Sequence, residues 1–270
     1  MELLLAPEGE VVAEHPATLT YRVFSVLFLV LPGAALLALS TQLGRNDADA
    51  RIPMIVFGIL PLALGVLAIL QQNKSKVVLR ADGVERWGLR GKLWALRFAE
   101  MPQLHYRVMK VRLGGLLGLV LPALGTNYHL GFTEPSGKKR TIPANLKSME
   151  ILAERVVEQH TTSHFAAARK QIDAGEEVRF GKSVAVDREK LSVKKLFGGM
   201  KSCPLAEIEK FVVQNGALRV RQRGKLMNFA SIYTAQIPNV FLLLKLLDSL
   251  LAQKTALGED RDFAGQAYVG

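Results

Sequence analysis

At 270 residues, with 49% hydrophobic and 22% charged side chains, the chain is long enough for one large or two small domains plus an anchor. The net charge is +11, and the single cysteine, Cys203, excludes an internal disulfide framework and a cysteine-based metal cluster. One thiol fits a small hydrophobe near a strand start, in a reduced, cytoplasmic setting.

Residues 1–20 hold Glu2, Glu8, Glu10 and Glu14 but no Lys or Arg, so the basic n-region of a cleaved leader is missing. They are read as an N-terminal cytoplasmic segment. Residues 21–72 are read as a transmembrane helical hairpin. Two uncharged runs, 23–41 and 52–70, are each just long enough to span a hydrocarbon core of ~30 Å at ~1.5 Å rise per residue. The polar stretch 42–51 joins them too tightly for anything but an antiparallel pair. Pro32 and Pro61 lie inside the spans, where a neighbouring helix can accommodate a kink.

Only Arg22, Arg45 and Arg51 among the basic residues precede position 72, leaving 32 Lys and Arg against 18 acids beyond it, a net +14. Lys74, Lys76, Arg80, Arg86, Arg90, Lys92 and Arg97 follow the second span directly. That bias predicts a multi-pass protein of the inner (plasma) membrane with both termini in the cytoplasm. Lys74, Lys76, Arg86, Arg90, Lys92, Lys110 and Arg112 are the candidate lipid-facing residues, because an anionic leaflet attracts such a surface by roughly 1 kcal/mol per nearby basic side chain.

Beyond the hairpin the pattern turns to short strand-like runs at 76–79, 84–87, 92–98 and 104–111, punctuated by Gly83, Gly88 and Gly91. The runs 128–133 and 140–142 flank the turn Glu134-Pro135-Ser136-Gly137. Helical spacing follows at 144–159, with Leu146, Met149, Leu152, Ala153 and Val156 on one face, and 161–168 reads as a helix end or linker. The order then repeats: runs at 184–186, 191–197, 208–213, 217–221 and 225–232, then a helix opened by Pro238 with Val240, Leu243, Leu244, Leu247, Leu250 and Leu251 on its apolar face. An offset of 107 matches Gly91 with Gly198, Phe98 with Leu205, Ala99-Glu100 with Ala206-Glu207, Met101 with Ile208 and Leu104 with Phe211. A smaller offset of 87 pairs Thr141-Ile142 with Asn228-Phe229, which places an insertion in the first copy between about 110 and 129. The two copies are set at 75–165 and 176–257, and 258–270 is a flexible tail.

Repeated strand-then-helix units behind a membrane hairpin resemble membrane-anchored bacterial proteins with pleckstrin-homology-like (PH-like) domains. The resemblance covers 75 to about 255. It implies a membrane-anchored α+β chain in which two antiparallel β-barrel or sandwich units are each closed by a C-terminal helix. It carries over no catalytic residues. Basic residues of the first hairpin loop, which bind lipid in eukaryotic relatives, have counterparts in Arg86, Arg90 and Lys92.

The insertion contains an uncharged stretch, 113–125, too short to span a bilayer and too rich in glycine for a stable helix. Leu113, Leu116, Leu117, Leu119, Val120 and Leu121 make it a candidate membrane-dipping or partner-binding loop; a buried hairpin is the alternative. The stretch Gly175 to Ser183 has glycine and Lys-Ser like a phosphate loop, but its spacing is one residue long and a strand follows where that loop needs a helix. His160 and His164 would share a helix face without acidic or cysteine co-ligands, so no metal site is assigned. No catalytic triad order or nucleotide fingerprint occurs, and no catalytic residue, enzyme activity or cofactor is expected. Trp87, Trp94, Tyr106 and Tyr128 do not interleave with the basic residues along the chain and read mostly as core, so nucleic acid is not an expected partner. The expected function is a non-enzymatic binding or scaffold module, offering tandem domains to anionic phospholipid headgroups or protein at the cytoplasmic membrane surface. The alternative is an accessory or assembly subunit of a larger complex, with another membrane protein as partner.

Overall fold

The structure, a computed structural model, describes residues 7–42, 48–110, 126–144, 146–194 and 199–256. Strand β1 (Val11–Pro16) precedes α1 (Leu19–Ser25), which passes through a π-helical turn (Val26–Val30) into α2 (Leu31–Gln42) and is followed by α3 (Ala48–Lys74). Strands β2 (Lys76–Arg80), β3 (Gly83–Gly88), β4 (Gly91–Arg97), β5 (Gln103–Lys110), β6 (Thr126–Thr133) and β7 (Lys139–Ile142) lead to α4 (Met149–Asp173). Then come β8 (Val178–Phe180), β9 (Val184–Val186), β10 (Lys190–Lys194), β11 (Met200–Pro204), β12 (Ile208–Gln214), β13 (Ala217–Gln222), β14 (Asn228–Tyr233) and α5 (Val240–Ala256). The fold is α+β, with two apolar N-terminal helices long enough to cross a membrane and four antiparallel sheets. Each sheet is open, where the family resemblance implies a barrel or bent sandwich. The chain divides into two compact units, one ending at Arg97 and taking in the start of α4 up to Leu152, the other holding the rest.

In the first unit β1-β2-β3-β4 form a meander, and the helical pair is an insertion between β1 and β2. Pro16 pairs with Lys76, and the Ala17 amide donates to the Ser75 carbonyl at 3.2 Å, so the two ends of the pair are tied together. The sequence reading starts its first strand-rich region at 75, and β1 adds to it a strand from before the hairpin. The Lys147 amide donates to the Pro16 carbonyl at 2.8 Å, which fixes the approach to α4 beside β1.

The helices pack antiparallel through small residues. A Cβ added to Gly33 would lie 2.8 Å from the Gly58 carbonyl oxygen, and one on Gly58 3.0 Å from the Gly33 carbonyl oxygen. Such close backbone approach is how helices associate where no hydrophobic effect separates them from their surroundings. Gln72 Nε2 donates to Ser25 Oγ at 3.2 Å across the same pair. Pro32 lacks the N–H that would bond to Phe28, and its ring crowds that carbonyl. The turn before it widens accordingly, with the Leu31 amide reaching back to Val26.

In the second unit β5-β6-β7 and β12-β13-β14 are three-stranded meanders, and β11-β10-β9-β8 is four-stranded. Its main core gathers Phe180, Val184, Val186, Leu191, Leu205, Ile208 and Leu218 with Leu243, Leu246, Leu247 and Leu250 of α5. Asn239, at φ 56°, stitches β5 to the start of α5. Its Oδ1 accepts from the Leu104 amide at 2.6 Å and its Nδ2 donates to the Pro102 carbonyl at 2.8 Å. The expected helix end at 161–168 is instead the middle of α4, which runs on to Asp173. His160 is buried there and Ala168 and Ile172 join the core, so polar-looking positions are inward ones.

The two halves repeat one plan: a four-stranded meander, a 3₁₀ turn (Phe98–Glu100 and Leu205–Glu207), a three-stranded meander and a helix. The offset of 107 holds from β2 to β4 of the first sheet, because Val84 pairs with Leu79 and Leu96 while Leu191 pairs with Val186 and Cys203. In the second sheet Leu104 pairs with Phe132 and Phe211 with Val220, so β6 and β13 correspond at an offset of 88 (132 to 220). Phe132 pairs with Arg140 and Val220 with Ala230, so β7 and β14 correspond at 90 (140 to 230), where the sequence reading sets 87.

Candidate functional site

Four of the basic residues of the sequence reading, Lys74, Lys76, Arg90 and Lys92, lie at the β2–β3–β4 end nearest α3. Lys74 is the last residue of α3, and β2 starts two residues later at Lys76. Lys76 pairs with Trp87 and Trp87 with Lys92, so Lys76, Trp87 and Lys92 form a row across three strands. The Lys76 ammonium lies 5.9 Å and the Lys92 ammonium 5.5 Å from the Trp87 ring centroid, each within cation–π range. Expectation and structure differ here: along the chain Trp87 reads as strand core, and across the strands it is interleaved with cations.

Beneath the row lies Glu85, only 1% exposed. Its Oε1 accepts from Lys92 Nζ at 2.9 Å and Arg80 Nε at 3.1 Å, and its Oε2 from Trp87 Nε1 at 3.2 Å. Burial works to raise the Glu85 pKa, but these three donors outweigh it and hold the carboxyl below the ordinary range. Glu14 makes a second pair, accepting twice from Lys76 Nζ at 2.9 Å. Lys74 and Arg90 stand exposed at the same end of the sheet. Arg86 does not join the row: it pairs with Val77 and Trp94, next along β3 from Trp87 and so on the opposite face, and burial lowers its pKa.

The β3–β4 turn carries Leu89 and Arg90, followed by Gly91 at φ +102°, a conformation that favours glycine. Trp87 opposes Lys92 but Arg86 opposes Trp94, which leaves Leu93 as the extra residue of a β-bulge. A bulge re-aims side chains, and the result is two successive exposed residues, Lys92 and Leu93. Leu89 is 45% and Leu93 51% exposed. The sequence reading missed both, although the alternation of leucine and base in Leu89-Arg90-Gly91-Lys92-Leu93 was its available signal.

The other candidates fall elsewhere. Lys110 ends β5, whereas Arg112 and the loop residues Leu113, Leu116, Leu117, Leu119, Val120 and Leu121 lie outside the described residues, as do 258–270. The stretch with phosphate-loop-like composition forms the β8–β9 hairpin, turning at Gly181. His160 and His164 lie with ring centroids 4.5 Å apart and planes tilted by 39°, and each Nε2 donates at 2.9 Å to a carbonyl, of Met101 and of Phe98. Burial drives the His160 pKa down to about 4. Among the described residues no three or more His, Cys, Asp or Glu side chains gather as metal ligands. Cys203 is fully buried, and burial raises its thiol pKa.

A family of unknown function, DUF6585, matches residues 8–256. The chain belongs to this family. The matched span opens just before β1 and closes at the last residue of α5, so the family unit takes in the apolar helices together with both strand-rich halves. No curated protein matches the chain.

Proposed function

We propose that this chain is a non-enzymatic membrane-anchored binding module that offers two tandem PH-like units to anionic phospholipid headgroups at the cytoplasmic face of the inner membrane. The observation that carries this reading is the Lys76–Trp87–Lys92 row, which begins two residues after an apolar helix ends. Lysine beside an indole is suited to the headgroup layer, where the ring straddles apolar and wet zones and the ammonium meets phosphate. Support for the anchor comes from the outward face of the helical pair, where Phe28, Ile52, Phe57 and Leu60 are more than half exposed. A soluble core helix would bury such side chains. Support for the PH-like units comes from the repeated order of four strands, three strands and one helix. Because Ala17 and Ser75 are hydrogen-bonded, a pair that crosses a bilayer returns the chain to the side it left, and the basic excess beyond 72 supports the cytoplasm as that side.

The full chain in nanodiscs of neutral lipid, then with a rising share of anionic lipid, tests the reading. Trp94 is core, so Trp94→Phe leaves Trp87 as sole emitter among the chain's 2 tryptophans. Trp87 emission should shift to the blue with anionic lipid and shift back with salt. Emission indifferent to both would leave the charge as mere topology. A second reading, an accessory subunit of a membrane complex, is favoured by Leu226 and Met227 on the β13–β14 hairpin, 98% and 82% exposed. Recovery of a stoichiometric partner in mild detergent that is lost with Leu226→Asp would support it.

A further inference from the structure

We propose that the β3–β4 hairpin is a wedge that enters the bilayer beside the helical pair, with Leu89 and Leu93 in the interfacial hydrocarbon and Arg90, Lys76 and Lys92 on lipid phosphates. This rests on the membrane-anchor reading above and adds to it a fixed seat for the first sheet on the lipid surface.

Strand register supplies the direction. β2 leaves the end of α3 at Lys76, and β3 returns antiparallel until Trp87 stands opposite Lys76. Gly88, Leu89, Arg90 and Gly91 therefore run past the first residue of β2, back towards the helix end. α3 also lies against β3, as such a return requires. The far end of the same meander, the β2–β3 turn at Ala81-Asp82, lies about 16 Å away at ~3.3 Å per strand residue.

Chemistry supplies the partner. The two leucines that project at this end are among the most exposed large apolar side chains of the sheet. The Leu93 bulge breaks the alternation that would otherwise turn one of Lys92 and Leu93 inward. Gly88 leaves room for Leu93 to lie across the hairpin, since a Cβ there would meet Leu93 Cδ1 at 2.9 Å. Beside the leucines stand Lys76, Arg90 and Lys92; Lys76 is ion-paired with Glu14 and Lys92 with Glu85, which also pairs with Arg80, so cations outnumber carboxylates in the cluster. An apolar tip ringed by cations with an indole behind it matches the order of zones met on entering an anionic leaflet: phosphate outside, acyl chain within. A protein groove would match the leucines, but it would not explain their position at the end of an apolar helix.

The test uses the full chain in anionic nanodiscs containing shallow nitroxide lipids. An environment-sensitive label is placed in turn through Leu89→Cys, Leu93→Cys, Ala81→Cys and Phe57→Cys. Cys203 is buried and needs no replacement. Labels at 89 and 93 should lose their emission to the nitroxide, as the label at Phe57 does, while the label at Ala81 keeps its own. Quenching at 57 without quenching at 89 and 93 overturns the wedge and leaves the anchor standing. No quenching at 57 overturns the anchor and the wedge with it. Should labelled hairpins fail to fold, unlabelled Trp94→Phe protein reports the same depth through Trp87.

Discussion

The two four-stranded sheets of this chain share a register and differ in what their first connection holds. In the second half, β8 and β9 are joined by Gly181 to Ser183; in the first, β1 and β2 are joined by two apolar helices. The buried apolar set is common to both: Val77 and Val184, Leu79 and Val186, Val84 and Leu191, Leu96 and Cys203, Phe98 and Leu205, Met101 and Ile208. The cation–indole row is not, for its counterparts at the same offset are Ser183, Lys194 and Gly199. Even the buried polar position differs: Glu85 serves three donors, where Ser192 shares one hydrogen bond of 2.8 Å with Ser202. The sheet therefore needs its apolar set, and the Glu85 cluster is an addition made in the copy that carries the helices.

The strongest way to break this comparison is to truncate the shared core. Phe98→Ala and Leu205→Ala each empty a fully buried 3₁₀-turn anchor, and each should cost about 3–5 kcal/mol in denaturant unfolding. A large loss at one site and none at the other would end the equivalence.

Acid should sharpen the contrast by acting on the two units over different ranges. His160 is neutral in the fold, with a pKa of about 4 against about 6.5 unfolded. Its depressed value means the unfolded chain takes up the proton first. Stability from this site is whole above pH ~6.5, falls between there and pH ~4, and loses about 3 kcal/mol in all. Hydrogen exchange should show α4 and β5 loosening in that range, and His160→Gln should abolish the slope. Glu85, also lowered in the fold, acts in the same direction but over a more acid range: its contribution is present above the ordinary carboxylate range and disappears as the pH falls below it. The β2–β4 sheet should therefore hold until more acid pH.

Smaller effects test the addition itself. Glu85→Gln removes a charged acceptor from Arg80 and Lys92 and should cost about 1.5–3 kcal/mol, against about 1 kcal/mol for Ser192→Ala. Lys76→Ala breaks a largely exposed pair with Glu14 and should change stability by less than about 1 kcal/mol, while weakening any response to anionic lipid. A stability loss at Lys76 as large as that at Glu85 would make the row structural.

Much of this fold is legible residue by residue, and the exceptions have physical causes. The helical pair declares itself by length of apolar run, and most strands from β2 onwards by alternation between glycines. β1 does not, because Val11 and Val12 are exposed and its partner β2 lies beyond both helices. The length of α4 is hidden by His160, Thr161 and Ser163, polar residues accommodated in the fold: His160 bonds to the Met101 carbonyl, Ser163 bonds back to the Gln159 carbonyl of its own helix, and Thr161 is buried. β8 is three residues long, too short for any period. The candidate site is legible as a charge count after the second span. Its arrangement is not, since the neighbourhood of Lys76, Trp87 and Lys92 is set by cross-strand register, and one bulge at Leu93 decides which side chains face out.

The tie between β1 and β2 has a consequence for biogenesis. During synthesis β1 emerges first and must wait, unpaired, until both helices and β2 have followed. If only one helix entered the membrane, β1 and β2 would be left on opposite sides and the sheet could not form. For a helical pair that crosses a bilayer, completion of the meander would act as a proofreading step on insertion: a chain threaded once would be left with an open edge and an exposed apolar strand, marks by which quality control recognises its substrates.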